Sequence, residues 1–74
     1  MTQAVTETIE VTINGAPRQM PRDATLLDVL AALGLDPRLV VVEHNRRVVR
    51  RPGLGDVRIA PGDAIELVHF VGGG

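Results

Sequence analysis

The residues best placed to do chemistry are the three glycines that end the sequence, Gly72-Gly73-Gly74. At an average glycine frequency of about 7%, three in a row arise by chance with a probability of ~0.0003. Glycine has no Cβ, so such a tail can pass through a narrow channel and adopt any backbone conformation. Three extended residues reach about 10 Å. The α-carboxylate at the tip is ionised at neutral pH, because the usual pKa of this group is ~3.5.

A carboxylate on Gly74 is a nucleophile towards an activated phosphate and, once adenylated, an acyl electrophile. Every atom needed for activation by a partner enzyme then lies on Gly74, and the chain itself needs no acid, base or metal ligand. The pattern therefore predicts a carrier protein, a co-substrate of partner enzymes and not an enzyme. We expect no bound cofactor on the chain itself. A frayed terminus and an arbitrary truncation are the alternative explanations of the glycines.

Glu43, His44 and His69 are the side chains that could bind a metal ion. Glu43 and His44 are neighbours on a predicted strand and so point to opposite faces of the sheet. The chain has no cysteine, which excludes a disulfide framework, a thiolate nucleophile and a cysteine-ligated metal. We therefore predict no metal site.

The charges are nearly balanced, with a formal net charge of −1 at pH 7. No overall field recruits nucleic acid or a membrane, and we expect neither as a partner. Four arginines nevertheless cluster in the sequence: Arg46, Arg47, Arg50 and Arg51. They could bind phosphate or an acidic partner, but charge at a strand edge more often prevents that edge from pairing with another chain.

The N-terminal ten residues carry no basic segment and no apolar run, so we expect no signal peptide. The longest aliphatic run, residues 39–42, is far shorter than the ~20 residues that span a bilayer. With the absence of cysteine, these features predict a soluble, cytoplasmic protein.

The elements that must position the tail begin with a hairpin. Residues 8–14 alternate apolar and polar side chains, which predicts a half-buried strand. Asn14-Gly15 is typical of a type I′ turn, whose two central residues need positive φ. Residues 16–20 then return as a strand, and Pro17 places it at the sheet edge because proline has no N–H to donate. The buried side chains of the first strand are predicted to be Ile9, Val11 and Ile13.

A helix is predicted to begin at Thr25, whose hydroxyl can cap the free amides of the first turn. Asp28 adds negative charge at the positive end of the helix dipole. Gly34 occupies the position of a left-handed C-cap, and Asp36-Pro37 stops any continuation. Four apolar residues at helical spacing form one face, Leu26, Val29, Leu30 and Leu33.

The rest of the chain alternates strands and turns. We predict a strand over 39–42 with both faces covered, a turn at 45–46, a short strand at 48–49, a loop over 51–56, a turn at 61–63 and a last strand over 64–71. The last strand is apolar at both parities, which we interpret as a central position in the sheet.

A hairpin, one helix and a late apolar strand predict an α+β fold of the ubiquitin-like β-grasp type, a mixed sheet of about five strands with one main helix. Residues 1–74 are expected to form a single domain, with residues 72–74 as a flexible, exposed tail. In this topology the last strand runs beside the first and holds the tail in a fixed direction. Phe70 could belong to the core or could contact a partner, and the sequence does not distinguish the two.

Three segments carry a resemblance to a known family: residues 40–49 (VVVEHNRRVV), Pro61-Gly62-Asp63 and the ending IELVHFVGGG. Together they resemble the ThiS family, the sulfur carriers of thiamine biosynthesis. The resemblance covers essentially the whole chain, and its specific parts are VVVEHN and VHFVGGG. Family members often have VERN at residues 42–45, so His44 is a departure.

The resemblance implies a cycle centred on Gly74. A ThiF-like adenylating enzyme uses ATP to form an acyl-adenylate on the carboxylate, and sulfur from a cysteine desulfurase-derived persulfide replaces AMP. The resulting thiocarboxylate donates its sulfur to a ThiG-like thiazole synthase. Gly72 and Gly73 are then the tether, and Phe70 and Val71 the apolar contact with the partner.

Two alternatives remain open at this point. The chain could be a sulfur carrier of another pathway, like the small subunit of molybdopterin synthase, or a non-covalent β-grasp interaction module. Molybdopterin carriers usually approach their glycines through a proline-containing segment, whereas Phe70-Val71 continues the strand pattern here. An interaction module gains nothing from an ionised glycine terminus. Both observations favour the thiazole pathway.

Overall fold

The computed structural model describes residues 7–70. They form one sheet and one α-helix, with strands β1 (Thr8–Ile13), β2 (Ala16–Pro21), β3 (Val40–His44), β4 (Arg47–Val49) and β5 (Ala64–His69), and helix α1 (Leu26–Ala32). The strand order is β2-β1-β5-β3-β4, with β5 parallel to β1 and antiparallel to β3. This is the predicted mixed β-grasp sheet. No helix of residues 7–70 is long and apolar enough to cross a membrane.

The β1–β2 hairpin has the predicted turn and edge position. Asn14 and Gly15 have φ values of 51° and 82°, as a type I′ turn requires. The strand β2 lies at the sheet edge, where Pro17 needs no hydrogen-bond partner for its nitrogen. The hairpin therefore presents β1, and not β2, to the middle of the sheet.

Helix α1 begins and ends as its sequence indicates. The Thr25 hydroxyl accepts from the Asp28 N–H at 3.2 Å, and the Asp28 carboxylate accepts from the Thr25 N–H at 2.9 Å, which is a complete capping box. Gly34 has φ of 71°, and the Leu35 N–H donates to the Leu30 carbonyl at 2.9 Å, the long bond of a Schellman motif. Local chemistry alone therefore sets both ends of the helix.

The core lies between α1 and one face of the sheet and is almost entirely aliphatic. Leu26, Val29 and Leu30 of the helix are each 1% exposed, while Leu33 is partly buried against them. The sheet contributes chiefly Val11, Ile65 and the other inward side chains of the three central strands. The predicted apolar face of the helix is confirmed.

The predicted strand over residues 39–42 needs correction. The strand β3 runs from Val40 to His44, and Leu39 instead ends a short 3₁₀ helix, Pro37–Leu39, with 46% of its surface exposed. Val40 and Val42 are buried but Val41 is only half-buried. The expectation of two covered faces is wrong, because the single helix covers only one.

The predicted loop over residues 51–56 is a 3₁₀ helix, Arg51–Asp56. Pro52 stands at its start, where a fixed φ favours helical geometry. Leu54 is 1% exposed and packs into the core, so this segment closes the end of the helix layer. The glycines and the proline led to the prediction of a loop, although the buried side chain of Leu54 fixes this segment to the core.

The last strand is also shorter than predicted. It runs from Ala64 to His69, and Phe70 follows it while still donating its N–H to the Leu39 carbonyl at 2.8 Å. Its central position is confirmed, but that position does not explain the apolar residues at both parities. Val68 is 56% exposed on the face without a helix. The core of this chain therefore does not explain why the side chains on that face are apolar.

Candidate functional site

The site is built on β5, which leads directly towards the terminal glycines. Neighbouring strands hold β5 on both sides, with β3 pairing from Ile65 to His69 and β1 pairing at Ala64 and Ile65. Ile65 is 0% exposed, so the beginning of the strand is fixed in the core. Pairing on both sides and burial at its start therefore fix the position of β5.

The side chain of Asn14 extends the support of β5 beyond the end of β1. Its amide Nδ2 donates to the Leu67 carbonyl at 3.3 Å, and its Oδ1 accepts from the Leu67 N–H at 2.7 Å. One side chain thus replaces the next backbone pair of the β1–β5 ladder. The same residue makes the hairpin turn, so the turn and the support of β5 depend on one position. Sequence reasoning identified the turn but missed this contact.

The structure decides the open question about Phe70. The ring is 53% exposed and belongs to no buried cluster. Exposed Val68 lies two residues earlier on the same strand parity, and Val48 of the edge strand is also exposed. Phe70 is therefore an exposed apolar residue at the root of the tail. Val71, Gly72, Gly73 and Gly74, together with the predicted mobility of the tail, lie outside the described residues.

A polar cluster that sequence reasoning missed fixes the beginning of β5. His44 Nε2 lies 2.6 Å from Asp63 Oδ2, and Asn45 Nδ2 donates to Asp63 Oδ1 at 3.1 Å. The Ala60 N–H donates to Asp63 Oδ2 at 2.8 Å, and the Ala64 N–H donates to Asn45 Oδ1 at 2.9 Å. The cluster joins the β3–β4 turn to the turn that precedes β5. Asp63 directly after Pro-Gly was the signal in the sequence, since aspartate often accepts backbone hydrogen bonds in turns.

Asp63 is 9% exposed, and its environment acts on its pKa in two directions. Burial acts to raise the pKa, but the hydrogen bonds from His44, Asn45 and the Ala60 N–H outweigh burial. The pKa of Asp63 is therefore below its usual value. A lowered pKa in the folded state means that ionised Asp63 stabilises the fold above the unfolded-state pKa, and that this stabilisation is lost as the pH falls.

We expect Asp63→Asn to lower the free energy of unfolding by about 1–3 kcal/mol at neutral pH, because a buried acceptor network loses its charge. The difference in the free energy of unfolding between this variant and the unaltered chain should begin to shrink as the pH falls below ~4, where Asp63 of the unfolded chain is protonated. It should go on shrinking at lower pH until Asp63 of the folded chain, whose pKa is lower, is protonated as well. Urea unfolding of both proteins at a series of pH values measures this difference in the free energy of unfolding. Hydrogen bonds from Arg38 also lower the pKa of Asp36, to about 2. Because both proteins retain Asp36, its titration contributes equally to both and cancels in the difference.

The matched control is Asp23→Asn, which removes the same charge from an exposed loop. The free energy of unfolding of this control should differ little from that of the unaltered chain at every pH. A pH-independent loss of stability in Asp63→Asn would contradict the assigned role of the Asp63 charge.

The other candidate residues do not form a site within the described part of the chain. Glu43 and His44 occupy opposite faces of β3, since their cross-strand partners are Glu66 and Ile65. No group of three or more His, Cys, Asp or Glu side chains among residues 7–70 is arranged to hold a metal ion. The four clustered arginines are exposed in and beside the edge strand β4, the position expected of edge-protecting charge.

Comparison with known proteins now adds to this geometry. The sequence pattern of the ThiS family matches residues 11–74. The chain belongs to the ThiS family. It is a homologue of the sulfur carrier protein ThiS of Bacillus subtilis, with 36% identity over 63 residues that cover 84% of this chain and 96% of that relative. The departure at His44 therefore does not take the chain outside the family.

A solved structure and a longer relative extend the comparison. The crystal structure of the thiamine biosynthesis protein ThiS from Geobacter metallireducens matches with a TM-score of 0.76 and 30% identity, covering 89% of this chain and all of that one. The thiazole synthase of Magnetococcus marinus is 41% identical over 66 residues, which are 89% of this chain but only 20% of that protein. A ThiS-family segment thus occurs within a protein named for thiazole synthesis.

Proposed function

We propose that this chain carries sulfur for thiazole synthesis, as a thiocarboxylate on Gly74. The observation that supports this most directly is the similarity to both a separate sulfur carrier and a segment of a thiazole synthase. The fold adds a physical reason. A central strand, supported on both sides as far as Leu67, directs the chain towards the reacting terminus.

In the proposed reaction, a carboxylate oxygen of Gly74 attacks the α-phosphorus of ATP on a ThiF-like enzyme, and pyrophosphate leaves. The terminal sulfur of a desulfurase-derived persulfide then attacks the acyl carbon. The bond from that carbon to the phosphate-bearing oxygen breaks, so that AMP leaves and an acyl disulfide remains. A second partner thiol then attacks the desulfurase-derived sulfur of this acyl disulfide, so that a disulfide forms between the two partner thiols and the thiocarboxylate is released. The partners supply ATP and the thiols, so we propose that the carrier holds no cofactor and is not itself an enzyme.

We propose that the partner recognises the root of the tail together with the glycines. Phe70 is exposed where β5 ends, so a partner that takes Gly72 and Gly73 into a channel also meets this ring. Large apolar side chains are the usual anchors of such interfaces. Specificity between sulfur pathways would then depend on the shape at Phe70 and Val71, since the glycines are common to several carriers.

The gene is expected to restore thiazole synthesis in a bacterial strain that lacks its own thiazole sulfur carrier. It should not restore molybdenum cofactor synthesis in a strain that lacks the small subunit of molybdopterin synthase. Growth without added thiamine and molybdoenzyme activity are the two measurements. The opposite pattern would move the chain to the molybdopterin pathway, and failure in both strains with the native adenylating enzyme supplied would count against sulfur transfer altogether.

A further inference from the structure

The face of the sheet that α1 leaves uncovered has an ordered arrangement of side chains. Val41 of β3 lies directly opposite Val68 of β5, and the next pair on the same face is Glu43 opposite Glu66. Val48 of β4 lies on the other side of Glu43. Val48 and Val68 are 62% and 56% exposed. An acidic pair is thus bordered by exposed aliphatic side chains, with Phe70 at the end nearer the tail.

Two carboxylates in directly opposite positions are unfavourable for the isolated sheet. Cross-strand neighbours of this kind have Cβ atoms about 5 Å apart, and like charges there destabilise the pairing. Among residues 7–70, the carboxylates in ion pairs belong to Glu7, Asp36 and Asp63, so neither member of the acidic pair is neutralised in this way. A cation from outside the chain would relieve the repulsion.

We propose that this open face docks on the surface of a thiazole synthase that places a lysine or arginine against Glu43 and Glu66. The aliphatic border requires that this basic side chain be surrounded by apolar residues, since desolvated valines on one side need apolar contacts on the other. The inference rests on the proposed function. It adds which residues beyond the tail root recognise the partner, and the charge that the partner must carry.

The choice of thiazole synthase follows from the Magnetococcus marinus relative, in which a segment similar to this chain is part of a protein of that name. The strand geometry adds a distance. Phe70 follows Glu66 by four positions, which is about 13 Å along the strand direction at the usual rise per residue. The basic side chain of the partner should therefore lie about that far from the point where the partner contacts Phe70.

The test measures the dissociation constant between the full chain and the purified thiazole synthase of the same organism, at low and high sodium chloride. The double variant Glu43→Gln/Glu66→Gln should bind about tenfold more weakly at low salt, and its binding should depend less on salt. The matched control, Asp23→Asn/Asp56→Asn, removes two exposed acidic charges that lie outside the sheet and should bind like the unaltered chain.

The melting temperature of the free protein distinguishes a role of the acidic pair in binding from a role in folding. Removing the repulsion should leave the melting temperature of the Gln variant equal or higher while its binding weakens, so lost folding cannot explain the result. Unchanged binding by the Gln variant, or equal weakening in the control, would overturn this inference alone. If the unaltered chain did not bind the synthase at all, the proposed function would fall as well.

Discussion

A variant that lacks Gly72, Gly73 and Gly74 is expected to take up no sulfur. The unaltered chain, incubated with ATP, its adenylating enzyme and a sulfur source, should exchange one carboxylate oxygen for sulfur. The reason is geometric, because the acyl carbon must reach a reaction centre inside the partner, and a misplacement of even one ångström strongly slows such reactions. Removing three extended residues withdraws the carboxylate by about 10 Å. Intact-mass spectrometry reads the exchange directly.

Extension of the chain provides the sharper form of this experiment. One tryptophan added after Gly74 keeps every native residue but moves the carboxylate and adds a ring that a narrow channel excludes. One tryptophan added before Met1 is the matched control and should leave sulfur uptake unchanged. Among residues 7–70, the buried core side chains all lie between Ile9 and Ile65, so each variant should keep the melting temperature of the unaltered chain.

The outcome that would end the carrier hypothesis is equal sulfur incorporation in the variant without glycines. A sulfur atom found on a side chain, and not at the C-terminus, would contradict it in the same way. Fragmentation of the modified protein locates the sulfur and separates these cases.

The parts of the fold that sequence reasoning predicted correctly depend on local chemistry. The Asn14-Gly15 turn, the Thr25 cap and the Gly34 C-cap each follow from what one or two residues can adopt or donate. Helical spacing likewise identified the inward face of α1. Such signals depend on neighbours in the chain, so a single sequence contains them.

The errors concern the two faces of the sheet. Apolar runs such as residues 39–42 look the same whether both faces are covered or one is left open. With a single helix, one face stays open, and Leu39, Val48 and Val68 are exposed. Sequence periodicity reports hydrophobicity, but only the three-dimensional arrangement shows which apolar side chains the chain itself buries.

The candidate site divides in the same way. The role of Gly72, Gly73 and Gly74 stays a prediction, and it could be made from the sequence because its chemistry requires only small residues and a carboxylate. The support of β5 could not be predicted in this way, because Asn14 meets Leu67 and His44 meets Asp63 across 53 and 19 residues of chain. Contacts at such separations follow from strand order and register. The exposure of Phe70, on which its proposed contact with a partner depends, likewise became known only from the structure.

Leu30→Ala is expected to cause the largest loss of stability among single substitutions in α1. Leu30 is 1% exposed and one of the largest fully buried side chains. Truncating a buried leucine to alanine costs about 2–5 kcal/mol, from lost transfer energy and the cavity left behind. A domain of this length has about 4–11 kcal/mol in total. The melting temperature should therefore fall by about 10 °C or more.

The helix supplies a control of the same residue type. Leu27, three positions earlier, is 41% exposed, so Leu27→Ala makes the same chemical change with the same effect on helix propensity but removes a side chain that is only partly buried. It should cost less than about 1 kcal/mol, and the difference between the two variants measures the buried contact alone. If Leu30→Ala does not fold, Leu30→Met keeps the volume and should cost less than about 1.5 kcal/mol. Equal shifts for Leu27→Ala and Leu30→Ala would contradict the placement of α1 on the sheet.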